Sequence, residues 1–363
     1  MCIRFSRIGQ IIKKLLIGIL ISLLIGELFS IVIYKAPPVR ENLYDAYLGW
    51  YPRPGAAGWN TESGKFVRKS STGFNDNNLE NSIKRNCAIN FFGDSMTEGF
   101  QFSPDKTFST ILESKLHSAS GCEEFRVNNF GLSGTGTFQQ SRIMEVYGKN
   151  YPASRSAIFL FLGNDLANNL YNNELPYKPG ILVKEGVASI IESNYNTSYS
   201  KVKKYATYFS DYSNLIRLII GSIIAVNQHS KIHNDSQKSS TDLQKMGIME
   251  IRETIEIQLQ ALEKSLAIAK QISQNQKTKL TIFIIPTGEE VALGDNKVIS
   301  QIKSKINSIC SDLSIRCIDF LPKMVIRTLD DEISPYHLNG VGHLNQMGHK
   351  KIASILVSYY KDK

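Results

Sequence analysis

Three short runs, Ala88–Phe92 (AINFF), Ala157–Leu162 (AIFLFL) and Leu280–Ile285 (LTIFII), are apolar at nearly every position. A strand that is apolar on both sides has to be covered on both sides, which is the situation of a parallel sheet between two helical layers. Two weaker strand signals, Arg126–Phe130 (RVNNF) and Arg316–Phe320 (RCIDF), continue the rhythm. Between them lie stretches with helical spacing at Phe108–Leu116, Gln139–Tyr147 and Lys297–Cys310, and a last helix begins near Gln346 with Ile352, Ile355 and Leu356 on one face. The clearest helix precedes the fourth strand. Ile248, Ile251, Ile255, Leu259, Leu262, Leu266 and Ala269 recur at three- and four-residue steps after a capping Thr241-Asp242. Strands alternating with helices predict an α/β fold, a three-layer sandwich around a five-stranded parallel sheet of flavodoxin-like type. No repeat of solenoid length is present.

Ahead of this rhythm stands a segment of different character. Leu15–Tyr34 reads LLIGILISLLIGELFSIVIY, about the 20 residues needed to cross a bilayer as a helix. Glu27 is the one charge inside it, an unfavourable position for an acid in lipid. Arg4, Arg7, Lys13 and Lys14 precede the segment, which predicts a cytoplasmic N-terminus. A cleavable signal peptide competes with this reading, but the apolar stretch is long for one and IVIYKAPPVR offers no clean small-x-small cleavage site. The expected organisation is a cytoplasmic tail (1–14), a transmembrane anchor (15–34) and an irregular lead-in segment (35–86), followed by the main domain (87–363). The anchor would cross the inner membrane once and leave that domain in the periplasm or otherwise outside the cytoplasm.

The lead-in is rich in Gly, Pro, Asn and Ser and is punctuated by Tyr47, Trp50, Tyr51 and Trp59. Residues from about 170 to 240 interrupt the main domain with Asn, Ser, Tyr and Lys, and read as an insertion. It is either a lid or cap facing the substrate or a peripheral helix with a loop. Its apolar run, Leu215–Val226, is broken by Arg217 and too short to span a membrane.

The net charge of +9 comes from scattered Lys and Arg, without a basic helix interleaved with aromatics, so no nucleic-acid partner is expected. Cys2 falls on the cytoplasmic side, leaving Cys87, Cys122, Cys310 and Cys317 outside. These four form two disulfides or remain as free buried thiols. Cys87 and Cys122 each precede a predicted strand and are candidate partners; Cys310 and Cys317 would close a short loop. No spacing suits zinc, no phosphate-binding loop is present, and neither metal nor cofactor is expected.

In an open parallel sheet, ligands bind beyond the carboxyl ends of the strands, and four segments fall there. Gly93-Asp94-Ser95 follows the first strand and would present a hydroxyl at a strand-to-helix turn. Asn129-Phe130-Gly131-Leu132-Ser133-Gly134-Thr135-Gly136 follows the second, where glycine lets backbone amides approach a ligand. Gly163-Asn164-Asp165 follows the third and offers a side-chain amide. Gly342-His343 to Gly348-His349 lies between the last strand and the last helix, and imidazole is the side chain suited to proton transfer near neutrality. Each alone is an ordinary turn or surface loop.

Together, in the order Ser, Gly, Asn, His, they resemble the SGNH (GDSL-like) hydrolase family, over residues 88–360. The resemblance implies Ser95 as nucleophile, His343 as its base, and Gly134 and Asn164 as oxyanion donors. Leu48-Gly49-Trp50 and Ser71-Thr72-Gly73-Phe74 look like segments that precede the esterase domain in membrane-anchored bacterial members. One departure stands out. The family places an aspartate two or three residues before the catalytic His, and here Gly340 and Val341 occupy those positions. Asn339 is a candidate to orient the ring, as are Asp330, Asp331 or Glu332 folding back; otherwise a Ser–His dyad operates.

The expected function is hydrolysis of an acyl ester, acetyl above all. The expected substrate is an acylated carbohydrate of the envelope or a secreted polysaccharide, or another small ester. Two alternatives remain: transfer of the acyl group to a sugar hydroxyl, as a polysaccharide O-acetyltransferase, and a non-catalytic glycan-binding or assembly module on the same scaffold.

Overall fold

The computed structural model describes residues 2–33, 42–60, 65–76, 79, 85–117, 122, 124–173, 175–194, 205, 213–216, 218–219, 248–326, 333–340 and 342–361. It forms two compact units, one from residues 1–38 and 198–247 and the other from residues 39–197 and 248–363.

In the first unit a single helix runs from Cys2 to Ile33, so the expected tail and anchor are one element. Its stretch Ile12–Val32 has a mean hydropathy of 2.6, long and apolar enough to cross a membrane, a description that a signal sequence also meets. Leu16, Leu20, Leu24, Leu28 and Val32 are all exposed. Apolar surface of that extent is unfavourable in water and favourable in lipid. Glu27 is not left bare. Its carboxylate accepts hydrogen bonds from Ser213 Oγ (2.7 Å) and from the backbone N–H groups of Asn214 (2.7 Å) and Leu215 (3.1 Å). Those donors open a helical stretch at 214–216, where free N–H groups favour an anion. The remainder of the run Leu215–Val226 and the predicted cap Thr241-Asp242 lie outside the described residues, apart from 215, 216, 218 and 219.

The second unit carries the α/β sandwich that the sequence predicts. Residues 42–76, which show no sequence periodicity, form two antiparallel hairpins, β1 (Asn42–Asp45) with β2 (Gly49–Pro52) and β3 (Ala57–Trp59) with β4 (Phe66–Arg68). Then come β5 (Ala88–Gly93), β6 (Arg126–Gly131) and β7 (Arg155–Phe161), the hairpin β8 (Gly180–Lys184) and β9 (Val187–Ile191), and finally β10 (Lys279–Ile285) and β11 (Arg316–Asp319). The main sheet is entirely parallel in the order β11-β10-β7-β5-β6. Because β5 lies between β6 and β7, successive connections run to opposite sides of it, the switch point beyond whose carboxyl end ligands bind in open parallel sheets.

Strand residues alternate between two cores. Phe92, Phe130, Ile158, Leu160, Ile282 and Ile284 pack with Leu259, Leu262, Leu266 and Ala269 of the helix Ile248–Asn275. On the other side Ile89, Phe91, Val127, Ala157, Phe159, Phe283 and Ile285 pack with Leu112 and Leu116 of the helix Phe108–His117 and Ile352, Ile355 and Leu356 of the helix Gln346–Lys361. This is the period-two burial that a sheet covered on both faces requires. Leu48 and Phe74 of the lead-in belong to the first core.

Both candidate disulfides form, Cys87–Cys122 across 35 residues and Cys310–Cys317 across 7. A cross-link over the longer loop removes more freedom from the unfolded chain, about 4 kcal/mol against about 2 kcal/mol on a chain-entropy basis. Replacing Cys87 and Cys122 together by Ser is expected to lower the urea midpoint more than the same change at Cys310 and Cys317. Equal or reversed losses would contradict this ranking.

Candidate active site

β5 ends at Gly93, and the next residue turns the chain. Asp94 caps a one-turn helix, Ser95–Glu98, by accepting a 2.9 Å hydrogen bond from the Met96 N–H. Gly99 closes the turn at φ +60°, bonding its N–H back to the Ser95 carbonyl at 3.0 Å. A Cβ at position 99 would be strained there and would lie 2.9 Å from the His349 ring, so glycine is required on both counts. The result places Ser95 at the carboxyl edge of β5, between β6 and β7, with its backbone N–H at the start of a helical turn.

His343 reaches Ser95 from the far end of the chain, its Nε2 lying 3.0 Å from Ser95 Oγ. Its ring meets Phe100 edge to face, with centroids 5.1 Å apart. The loop that carries it is stapled by Asn345, which donates to the carbonyls of Pro335 (2.7 Å) and His337 (3.2 Å) and accepts from the Gly348 N–H (3.0 Å). The other two histidines of this loop are structural. His349 is fully buried against Phe102 and Phe108, accepts from the Phe108 N–H, and burial pushes its pKa down to about 3. His337 pairs Nδ1 with Ser334 Oγ at 2.8 Å, and burial lowers its pKa to about 4. Both stay neutral near pH 7; of the three, His343 is the one whose ring nitrogen meets Ser95. Asn339 sits at φ +54° in a short 3-10 turn; Asp330, Asp331, Glu332 and Val341 lie outside the described residues.

The second segment packs directly on this turn. The Leu132 N–H bonds to the Gly93 carbonyl at 2.9 Å, and the Asn129 side chain donates to the carbonyl of Thr97 (2.9 Å). Gly134 takes φ +77°, a conformation that favours glycine. From the third segment, Asn164 caps the short helix Asp165–Asn168 and donates a side-chain hydrogen bond to the Asp94 carboxyl.

Sequence reasoning passed over the acids beneath these residues. Asp94 and Asp165 are both fully buried. Burial raises the Asp94 carboxyl to about 6 against the pull of the Met96 N–H and the Asn164 and Ser95 side chains. Burial, reinforced by the Asp94 charge, raises Asp165 well above the carboxylate range. Asp94 could have been noticed as the residue before Ser95 in a Gly-Asp-Ser turn; Asp165 carries no comparable signal.

The lead-in holds the assembly together. Lys69 and Glu98 form an ion pair with both side chains 1% exposed. The same Glu98 carboxylate accepts from the Ser133 N–H (2.7 Å) and the Ser133 hydroxyl. Asn75 Nδ2 donates to the carbonyls of Glu98 (2.8 Å), Gly99 (3.0 Å) and Phe102 (3.1 Å). Asp76 accepts from the Asn129 N–H at 2.7 Å. Trp50 lies against Gly134, its ring carbon Cζ2 3.5 Å from where a Cβ would stand. Among the described residues no group of three His, Cys, Asp or Glu side chains gathers in a way that could hold a metal ion.

Comparison with known proteins gives no match to any family model and none to a curated protein. Several solved structures are similar in fold. An acetyl xylan esterase is 13% identical, with 75% of this chain and 98% of that chain covered at a TM-score of 0.41. A psychrotrophic esterase from Pseudoalteromonas sp. is 11% identical, with 76% and 98% covered at a TM-score of 0.39. A member of the lipolytic G-D-S-L family from Veillonella parvula is 14% identical, with 75% and 96% covered at a TM-score of 0.37.

Removing the cation from the Lys69–Glu98 pair would strand a buried carboxylate, at a cost of about 3–5 kcal/mol. Lys69→Met is therefore expected to lower the unfolding free energy by that amount in urea denaturation. A loss below about 1 kcal/mol, the range of a surface pair, would contradict a buried role.

Proposed function

We propose that the chain is a serine esterase of the SGNH type, with Ser95 as nucleophile and His343 as general base. The observation that carries this reading is the 3.0 Å contact between Ser95 Oγ and His343 Nε2, made across 248 residues at the carboxyl edge of β5. A hydroxyl held by imidazole at a helical turn is the arrangement that activates serine.

In the reaction, His343 Nε2 takes the Ser95 proton as Oγ attacks the ester carbonyl. The carbonyl oxygen becomes an oxyanion, received by the N–H groups of Ser95 and Gly134 and by Asn164 Nδ2. Collapse breaks the bond to the alcohol, which leaves with the proton returned by His343, and the acyl group stays on Ser95. Water then attacks the acyl carbon as His343 removes its proton. The second collapse releases the carboxylic acid and restores the serine hydroxyl. Asp94 holds Asn164 and the start of the turn.

An ester of a carbohydrate outside the cytoplasm fits the remaining features. Two disulfides call for an oxidising compartment, and the helix Cys2–Ile33 would anchor the unit of residues 39–197 and 248–363 on the outer face of the inner membrane. A small acyl group, acetyl first, is the proposed leaving acid.

The test is hydrolysis of an aryl acetate and of O-acetylated xylan by the full chain in detergent. Ser95→Ala and His343→Ala are each expected to lose activity by about three orders of magnitude or more, and the double variant to be no worse than either, because the pair acts as a unit. Asn164→Ala should lose about 100-fold or more in kcat. Activity that survives Ser95→Ala would overturn the reading.

A further inference from the structure

The wall beside Gly134 contains a buried cation that the ester mechanism above does not use. Lys178 lies in the turn before β8, in the part of the chain read from sequence as an insertion, and is only 6% exposed. Its Nζ donates to the Gly134 carbonyl at 3.0 Å and to Asn168 Oδ1 at 3.1 Å. The same ammonium stands 5.6 Å from the centre of the Trp50 ring. Asn168 ends the short helix that Asn164 caps. One side chain thus ties the segment bearing Gly134 to the segment bearing Asn164, the two oxyanion donors that come from outside the nucleophile turn.

The geometry has a physical cost. Burying an ammonium is unfavourable by several kcal/mol unless partners compensate, and a neutral side chain would fill the same space without that cost. The direct partners present are a carbonyl, an amide oxygen and an indole face, with the Asp165 carboxyl acting on the ammonium through space. Gly134 at φ +77° lacks a side chain to fix its peptide, so a donor on its carbonyl restricts the loop's freedom. A positive charge held beside an oxyanion site also strengthens it, because little water is present to screen it.

We propose that Lys178 is a positioning residue of the esterase: its ammonium clamps Gly134 to the Asn164–Asn168 segment, setting both outer oxyanion donors and adding positive potential at the hole. This rests on the Ser95–His343 reading given above. Toward the ammonium, the helix Asp165–Asn168 presents Asp165 and Asn168, β2 presents the uncharged Trp50, the Gly134 loop presents a carbonyl, and Asp94 lies next to Asp165. Tyr177 meets Trp50 edge to face. Burial lowers the Lys178 pKa to about 8, opposed by the attraction of Asp165. The clamp is therefore charged below that pH and is lost as pH rises through it.

The experiment measures aryl acetate hydrolysis by the full chain in detergent across the neutral-to-alkaline range, for the natural protein, Lys178→Met, Lys178→Gln, Lys178→Arg and Ser95→Ala. The natural protein should show a fall in kcat with a midpoint near pH 8. Lys178→Met should lose about 10- to 100-fold in kcat near neutrality with KM within about twofold. Lys178→Gln, a neutral donor, should fall between the two and lack the alkaline fall. Lys178→Arg, charged throughout, should recover most of the kcat and also lack it. Lys178→Met with unchanged kcat and the fall near pH 8 intact would overturn the proposal. So would a loss in Lys178→Met that Arg does not relieve and that leaves the pH profile in place, since that pattern marks packing alone. Ser95→Ala separates the two levels. Ser95-dependent turnover indifferent to residue 178 removes this proposal only, whereas no Ser95-dependent turnover in any form removes the esterase reading and this proposal with it.

Discussion

The carboxylate of Glu98, sealed inside the protein, is the joint on which the site depends. It ends the one-turn helix begun by Ser95, pairs with Lys69 from the lead-in, and receives the N–H and hydroxyl of Ser133 from the loop that carries Gly134. A buried charge tolerates few geometries, since each lost partner leaves it nearly unsolvated. The Ser95 turn, the Gly134 loop and the lead-in are therefore fixed relative to one another by a single group. Asn75 repeats the principle with neutral bonds, reading three carbonyls at the end of the same turn.

The lead-in is thus a working part of the α/β unit. Leu48 and Phe74 fill its first core, and Lys69, Asn75 and Asp76 bind the rim of its sheet. Its hairpins show no alternation long enough to be read from sequence, and their buried charges read as solvated ones until a partner is seen. The insertion behaves similarly. Its first portion holds the hairpin β8–β9, and the turn before it supplies Lys178 to the Gly134 carbonyl.

The main sheet was legible because its strands are buried on both faces. AINFF, AIFLFL and LTIFII admit few other structures, and β5, β7 and β10 begin and end within two residues of those runs. Ser95, Gly134, Asn164 and His343 were legible because each follows a strand at its carboxyl end, where topology gathers them. What stayed hidden depends on distance in sequence. Nothing in Tyr177-Lys178-Pro179 announces a bond to Gly134, and nothing in Glu98 announces Lys69. Likewise three histidines in one loop look alike until burial separates His337 and His349 from His343. Glu27 shows the converse: an acid conspicuous in an apolar stretch, whose partners are the start of a helical stretch nearly two hundred residues away.

In the proposed reaction the hydroxyl of Ser95 is made nucleophilic by His343. The most direct measurement treats the intact chain with an organophosphonate that forms a covalent bond to activated serine, and locates the adduct by peptide mass spectrometry. One adduct is expected, on Ser95, absent in Ser95→Ala and formed far more slowly in His343→Ala. An adduct on a different serine, or labelling of Ser95 at the same rate without His343, would contradict it.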